Sequence, residues 1–137
     1  VTKILIADDE LMLRAMAAEA LEDAGFTVFQ AADGREALTL LKRNPAIQLL
    51  ITDVRMPEMD GWTLAETALK FRADLKVLLI TGYDQSPEPG THSFRTFPIL
   101  RKPFNLQTLC DRAREIGGEP SHAVPMPAIC EGSNLAS

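Results

Sequence analysis

At 137 residues, 46% hydrophobic and 24% charged, the chain can build one compact domain and a short tail, with the balance of an ordinary soluble protein. Its net charge of −5 argues against a general electrostatic grip on nucleic acid. No apolar run reaches the roughly 18 residues of a membrane span, and the opening VTKILIADDE shows no signal-peptide pattern, so the cytoplasm is the expected compartment and no membrane partner is expected.

Along the chain two periods alternate. KILIA (3–7) is a short apolar run of strand type. Leu13, Met16, Ala17, Ala20, Leu21 and Ala24 then recur at helical spacing until Gly25 stops them. FTVFQA (26–31) reads as a strand. DGREALTLLKR (33–43) reads as a helix, with Asp33 and Glu36 in capping-box positions and Asn44-Pro45 closing it. IQLLIT (47–52) is an apolar strand. DGWTLAETALKFR (60–72) is a helix with Leu64, Ala65, Ala68 and Phe71 on one side. KVLLIT (76–81) and FPILR (97–101) are two more strands, and NLQTLCDRAREI (105–116) is a helix burying Leu106, Leu109, Cys110 and Ala113. A helix is due between the last two strands, but Pro87, Pro89 and Gly90 oppose one, so 82–96 reads as a loop or a turn or two of helix. Beyond 117 the Gly-, Pro- and Ser-rich sequence has no period. The expected organisation is one domain over 1–117 and a flexible tail over 118–137.

Apolar strands alternating with helices give βαβ units and an α/β fold, a doubly wound, five-stranded parallel sheet covered on both faces. Ligands of such sheets sit beyond the carboxyl ends of the strands. Here those ends carry Asp8-Asp9, Asp53, Thr81 and Lys102, so three carboxylates, a hydroxyl and an ammonium meet on one edge. Each like-charged pair at roughly 4 Å, in an effective dielectric of about 20, repels by about 4 kcal/mol. A bound cation resolves that conflict, and all-oxygen ligation with phosphate nearby suits Mg2+. Ionised Asp53 can then attack phosphorus while Thr81 and Lys102 hold phosphoryl oxygens. A single acid after a strand, Asp9 or Asp60 for example, has a simpler explanation as a helix N-cap.

Taken together, ADDE (7–10), TDVRMPEMDGW (52–62), ITG (80–82) and RKPF (101–104) resemble the receiver domain of two-component response regulators, over about residues 2–117. The resemblance implies a flavodoxin-like strand order 2-1-3-4-5. It implies a phosphoacceptor at Asp53, served by a sensor histidine kinase or a histidine phosphotransfer protein. It also implies Mg2+ held by Asp9, Asp53 and the backbone carbonyl of Arg55, with Asp8 helping through water. Phosphoryl contacts fall to Thr81 and Lys102, and a cis peptide to Lys102–Pro103. The face around Leu11 and Met12 is where receivers dock the kinase.

Two features depart from the family pattern. Ile99 stands where receivers usually carry an aromatic switch residue and reads as a strand core residue, and the fourth helix is weakened by prolines. Activation is therefore expected to appear as ordering of 82–96, with Tyr83 a candidate substitute aromatic. Arg55 reads either as a gate on water reaching a phosphoryl group or as an exposed arginine. Trp62 reads as partly packed. Cys110 reads as a buried thiol, since Cys110 and Cys130 lack metal-ligand spacing. His92 and His122 lie in the irregular segments and read as bystanders.

Two other functions compete: a phosphorylation-independent binding module, and a Mg2+-dependent aspartyl phosphatase. The first is opposed by Asp53, Thr81 and Lys102. The second is opposed by Arg55, which stands where such phosphatases place a general acid. No enzymatic turnover beyond self-phosphorylation and slow self-dephosphorylation is expected.

Overall fold

The structure is a computed structural model that describes residues 2–56, 58–82 and 97–117. Five strands are present: β1 (Lys3–Ala7), β2 (Thr27–Ala31), β3 (Ile47–Asp53), β4 (Lys76–Thr81) and β5 (Ile99–Arg101). Four helices accompany them: α1 (Leu11–Asp23), α2 (Gly34–Arg43), α3 (Gly61–Phe71) and α4 (Leu106–Gly117). All strand pairs are parallel, in the order β2-β1-β3-β4-β5, as the sequence resemblance implies. The expected loop at 82–96 lies outside the described residues apart from Gly82, as do Tyr83, His92, His122, Cys130 and the 118–137 tail.

The two-residue period of the strands divides the core. Ile4 and Ile6 of β1, Leu49 and Ile51 of β3, and Leu78 and Ile80 of β4 face α1 and α4. Leu5, Ala7, Leu50, Val77 and Leu79 face α2 and α3. With both faces covered, the central strands read as continuous apolar runs instead of alternating ones, which is the pattern of a buried parallel sheet.

Helix starts follow local chemistry. Asp33 Oδ1 accepts from the Glu36 N–H at 2.8 Å, and Glu36 Oε1 returns to the Ala32 N–H at 2.7 Å. That is a capping box displaced by one residue at its second bond. Asp60 caps α3 through the Thr63 N–H (2.8 Å) and Asn105 caps α4 through the Thr108 N–H (2.7 Å). Helix α1 has Glu10 at its N-cap with no side-chain capping bond.

Burial departs from expectation at Met16, Phe71, Trp62 and Leu106, the last only half-buried. Met16 is 49% exposed and Phe71 40% exposed, and Trp62, expected to be only partly packed, is buried. Helix α1 rests on Ala17, Ala18 and Leu21. At 3.6 residues per turn that stripe puts Met16 on the opposite side, although it lies three residues from Leu13. Phe71 sits on the flank of α3, where its ring is covered from one side by the Lys42 ammonium, 5.5 Å from the ring centre. Trp62 packs in a tilted pair against Phe97, ring centres 5.9 Å apart. Cys110 is buried as expected, its thiol against the Ala20 carbonyl at 3.5 Å. Ile99 is half-buried against the α2/α3 side of the core, consistent with a strand core residue.

The tightest approach in the fold lies where α3 meets the end of β3. A Cβ at Gly61 would stand 2.4 Å from the Asp53 carbonyl oxygen and 3.0 Å from Val54 Cα. The Gly61 N–H donates to the Val54 carbonyl at 2.8 Å, so the loop closes on itself there. Only a residue without a side chain fits. Gly61→Ala should therefore destabilise the protein by about 1–3 kcal/mol, read from urea unfolding. Gly34→Ala should cost less, because the nearest obstacle there is the movable Met59 side chain, Sδ at 2.8 Å.

Candidate active site

Register assembles the site. Ala7 pairs with Thr52, so the next residues, Asp8 and Asp53, emerge side by side. Asp53 pairs with Ile80, which places Thr81 one step beyond, and Thr81 pairs with Arg101, which places Lys102 one step beyond that. Backbone bonds carry the ladder into the loops: Val54 N–H to the Ile80 carbonyl (2.9 Å), Lys102 N–H to the Thr81 carbonyl (2.7 Å) and Asp8 N–H to the Ala31 carbonyl (3.1 Å). The Lys102–Pro103 peptide is cis, as the resemblance implies.

Carboxylate oxygens of Asp8, Asp9 and Asp53 lie within 4.8 Å of one another. Asp8 and Asp53 are buried and Asp9 is exposed. Lys102 Nζ reaches Asp53 Oδ2 at 3.1 Å. On the other oxygen, Asp53 Oδ1 accepts from the Arg55 N–H at 3.3 Å, and the Arg55 side chain is exposed. Asp9 caps no helix, so capping does not account for it; Asp60 does cap one. The Thr81 hydroxyl is buried with no hydrogen-bond partner among the described residues, and a buried hydroxyl in that condition is costly. The structure thus brings Asp8, Asp9, Asp53 and Lys102 together, register places Thr81 between β3 and β5 at the same edge, and Arg55 touches the cluster through its N–H.

Burial is the largest influence on Asp8, raising its carboxyl from an ordinary 3.8 to about 6. The Glu10 N–H, which donates to Asp8 Oδ1 at 2.9 Å, pulls it back down; the Asp53 charge raises it further.

Sequence reading passed over Arg14. Its Nη1 donates to the Asp8 carbonyl at 2.8 Å and its Nε to Gln30 Oε1 at 3.2 Å. The available signal was an arginine on the inward stripe of α1, three, four and seven residues before Ala17, Ala18 and Leu21.

The sequence profile of the response regulator receiver domain matches residues 4–114. The chain belongs to the receiver domain family. Response regulator receiver protein CpdR of Brucella abortus is 36% identical over 115 residues, an alignment covering 83% of this receiver and 95% of CpdR. Sensor kinase CckA of the same organism is 33% identical over 115 residues, 82% of this receiver but 12% of the kinase. Among solved structures, chemotaxis protein CheY4 of Vibrio cholerae superposes with a TM-score of 0.75 at 31% identity, covering 85% of this receiver and 98% of CheY4. No helix among the receiver's described residues is long and apolar enough to cross a membrane.

Because the folded carboxyl of Asp8 titrates near 6 and the unfolded one near 3.8, the folded state binds the extra proton between those values. Its contribution to stability is full below that window and is lost as pH rises through it. Without metal, Asp8→Asn should therefore stabilise the receiver more at pH 7 than at pH 4, read as the difference in urea midpoints. Thr81→Val removes an unpaired buried hydroxyl while keeping its shape. It should leave unfolding stability equal or raise it by about 1 kcal/mol, and equilibrium denaturation checks the sign.

Proposed function

We propose that this receiver accepts a phosphoryl group on Asp53 from a phosphohistidine, using Mg2+, and so switches protein–protein contacts. The observation that carries this reading is the Lys102 Nζ–Asp53 Oδ2 pair at 3.1 Å inside a cluster of three carboxylates. The donor set fits the ion: three acidic oxygens, hard ligands without sulfur or imidazole, suit Mg2+. Asp8, Asp9 and Asp53 would hold it, with the Arg55 carbonyl as a further oxygen. When bound, the ion supplies charge neutralisation for the acids and for the incoming phosphoryl oxygens.

The chain's own residues do the rest. An Asp53 carboxylate oxygen attacks phosphorus; the P–O bond forms as the P–N bond to the donor imidazole breaks, and the imidazole leaves with its electron pair and takes up a proton. Lys102 exchanges its Asp53 partner for a phosphoryl oxygen. The Thr81 hydroxyl, without a partner among the described residues, donates to another phosphoryl oxygen. Arg55 carries no usable proton at neutral pH, because a guanidinium does not deprotonate there. It therefore cannot serve as the general acid that turnover on small phosphoesters requires, which supports a switch and not a phosphatase.

Partners follow from the same chemistry. A sensor histidine kinase or histidine phosphotransfer protein is the donor. Leu11 (63% exposed), Met12 (71%) and Met16 (49%) leave an apolar patch on α1, near the acids, for such a helical partner. The net charge of −5 opposes direct DNA binding by this domain, so its contacts are with proteins.

Incubation with Mg2+ and acetyl phosphate, followed by intact mass measurement, should show a single phosphoryl adduct. The adduct should be absent without Mg2+ and in Asp53→Asn. An unlabelled wild-type protein, under conditions that label another receiver, would remove the reading.

A further inference from the structure

We propose that Arg14 is a positioning residue of the cation site, holding the Asp8–Asp9 turn in its binding geometry by bridging it to β2 through Gln30. The inference rests on the cation reading above, and three observations lead to it.

Arg14 occupies an unfavourable place for a purely structural arginine. It shares the inward stripe of α1 with Ala17, Ala18 and Leu21, where apolar side chains belong. It is also the fourth residue of that helix. A cation near a helix N-terminus opposes the helix dipole. The α1 start has no side-chain capping bond to offset this.

Its two bonds use two donors of one planar guanidinium, aimed at different acceptors. Nη1 takes the Asp8 carbonyl at 2.8 Å and Nε takes Gln30 Oε1 at 3.2 Å. A lysine carries the charge but not the planar pair of donors. Gln30 is a side chain of β2, and its neighbour Ala31 accepts the Asp8 N–H at 3.1 Å. Asp8 is thus tied to β2 directly through its own N–H and indirectly through its carbonyl.

Third, Arg14 bonds the backbone of the turn and leaves the carboxylates free. The Asp8 side chain takes its bond from the Glu10 N–H. Three acids within 4.8 Å repel one another, and the exposed one, Asp9, has the most room to swing away. Restraint of the turn's backbone keeps it aimed at the site without using its ligand atoms. Partners that orient ligands from behind commonly change metal affinity about 10–100-fold when removed.

The test is MgCl2 titration of the full, unphosphorylated chain by calorimetry, with amide shifts of Asp9 and Glu10 followed in parallel. Wild type should bind, and Asp9→Asn should lose most of that binding. Arg14→Lys and Arg14→Gln should each weaken binding about tenfold, and Gln30→Leu should weaken it less. Thermal midpoints are recorded for every variant. Arg14 variants that bind Mg2+ like wild type, whether or not their midpoints fall, overturn the proposal and leave the cation reading standing. An Arg14→Lys protein with full affinity would show that charge alone suffices and would equally overturn it. Wild type that does not bind Mg2+, or that binds it unchanged in Asp9→Asn, removes the cation reading and the inference with it. Should Arg14→Gln fail to fold, Arg14→Lys and Gln30→Leu decide.

Discussion

Mutual repulsion among three carboxylates at one edge of the sheet is the constraint around which this molecule is arranged. Oxygens of Asp8, Asp9 and Asp53 within 4.8 Å of one another are opposed, among the described residues, by the Lys102 ammonium 3.1 Å from Asp53. One ion pair does not balance three acids, two of them buried; at Asp8 burial first, and the neighbouring Asp53 charge after it, hold the carboxyl up at about 6. The parallel sheet makes the conflict unavoidable. Its register delivers Asp8, Asp53, Thr81 and Lys102 to successive positions along one edge, and no loop rearrangement is needed to gather them. A fold that tolerates this arrangement gains a site whose electrostatics are completed from outside.

Much of the surrounding architecture restrains atoms that would otherwise separate. The end of β3 is fixed by Gly61, whose missing Cβ lets α3 start directly against the Asp53 carbonyl, and by the Thr52 hydroxyl, which donates to that same carbonyl at 3.0 Å. Asp60 then begins the helix. The end of β1 is fixed by the Ala31 carbonyl, the Glu10 N–H and Arg14. Most of these bonds engage backbone; the Glu10 N–H is the one that takes up a carboxylate oxygen, Asp8 Oδ1. Packing supplies the rigidity behind them: Ile4, Leu5, Ile6, Leu49, Leu50 and Ile51 are all essentially without solvent contact.

The fold and the gathering of the acids with Lys102 were legible because both are written in local patterns. Apolar runs of strand length, helical spacings ended by Gly25 and Asn44, and acids just past two strands are each visible within a few residues. What escaped depends on the third dimension. Met16 satisfied a helical spacing, but the sheet took the stripe of Ala17, Ala18 and Leu21, on the other side of α1 from Met16, and spacing alone does not say which stripe wins. Phe71 looked like core and became the flank of α3, shielded by a lysine from another helix. Trp62 looked half-packed, yet Phe97, far along the chain, closes over it. Arg14 was passed over because its meaning lies in bonds to residues six and sixteen positions away. The close approach at Gly61 is likewise invisible until α3 is set against β3. Side-chain contacts across elements, more than element identity, are where sequence pattern ran out.

The hydroxyl of Thr81, without a partner among the described residues, has an evolutionary consequence. Selection for folding alone would favour Val there, just as it would favour a neutral residue at Asp8, since each native choice costs stability in the resting state. A lineage released from phosphotransfer should therefore drift away from this pair early, before touching residues such as Leu50 or Ala65 whose burial sustains the fold. A chain that still carries both keeps two burdens that folding does not ask for.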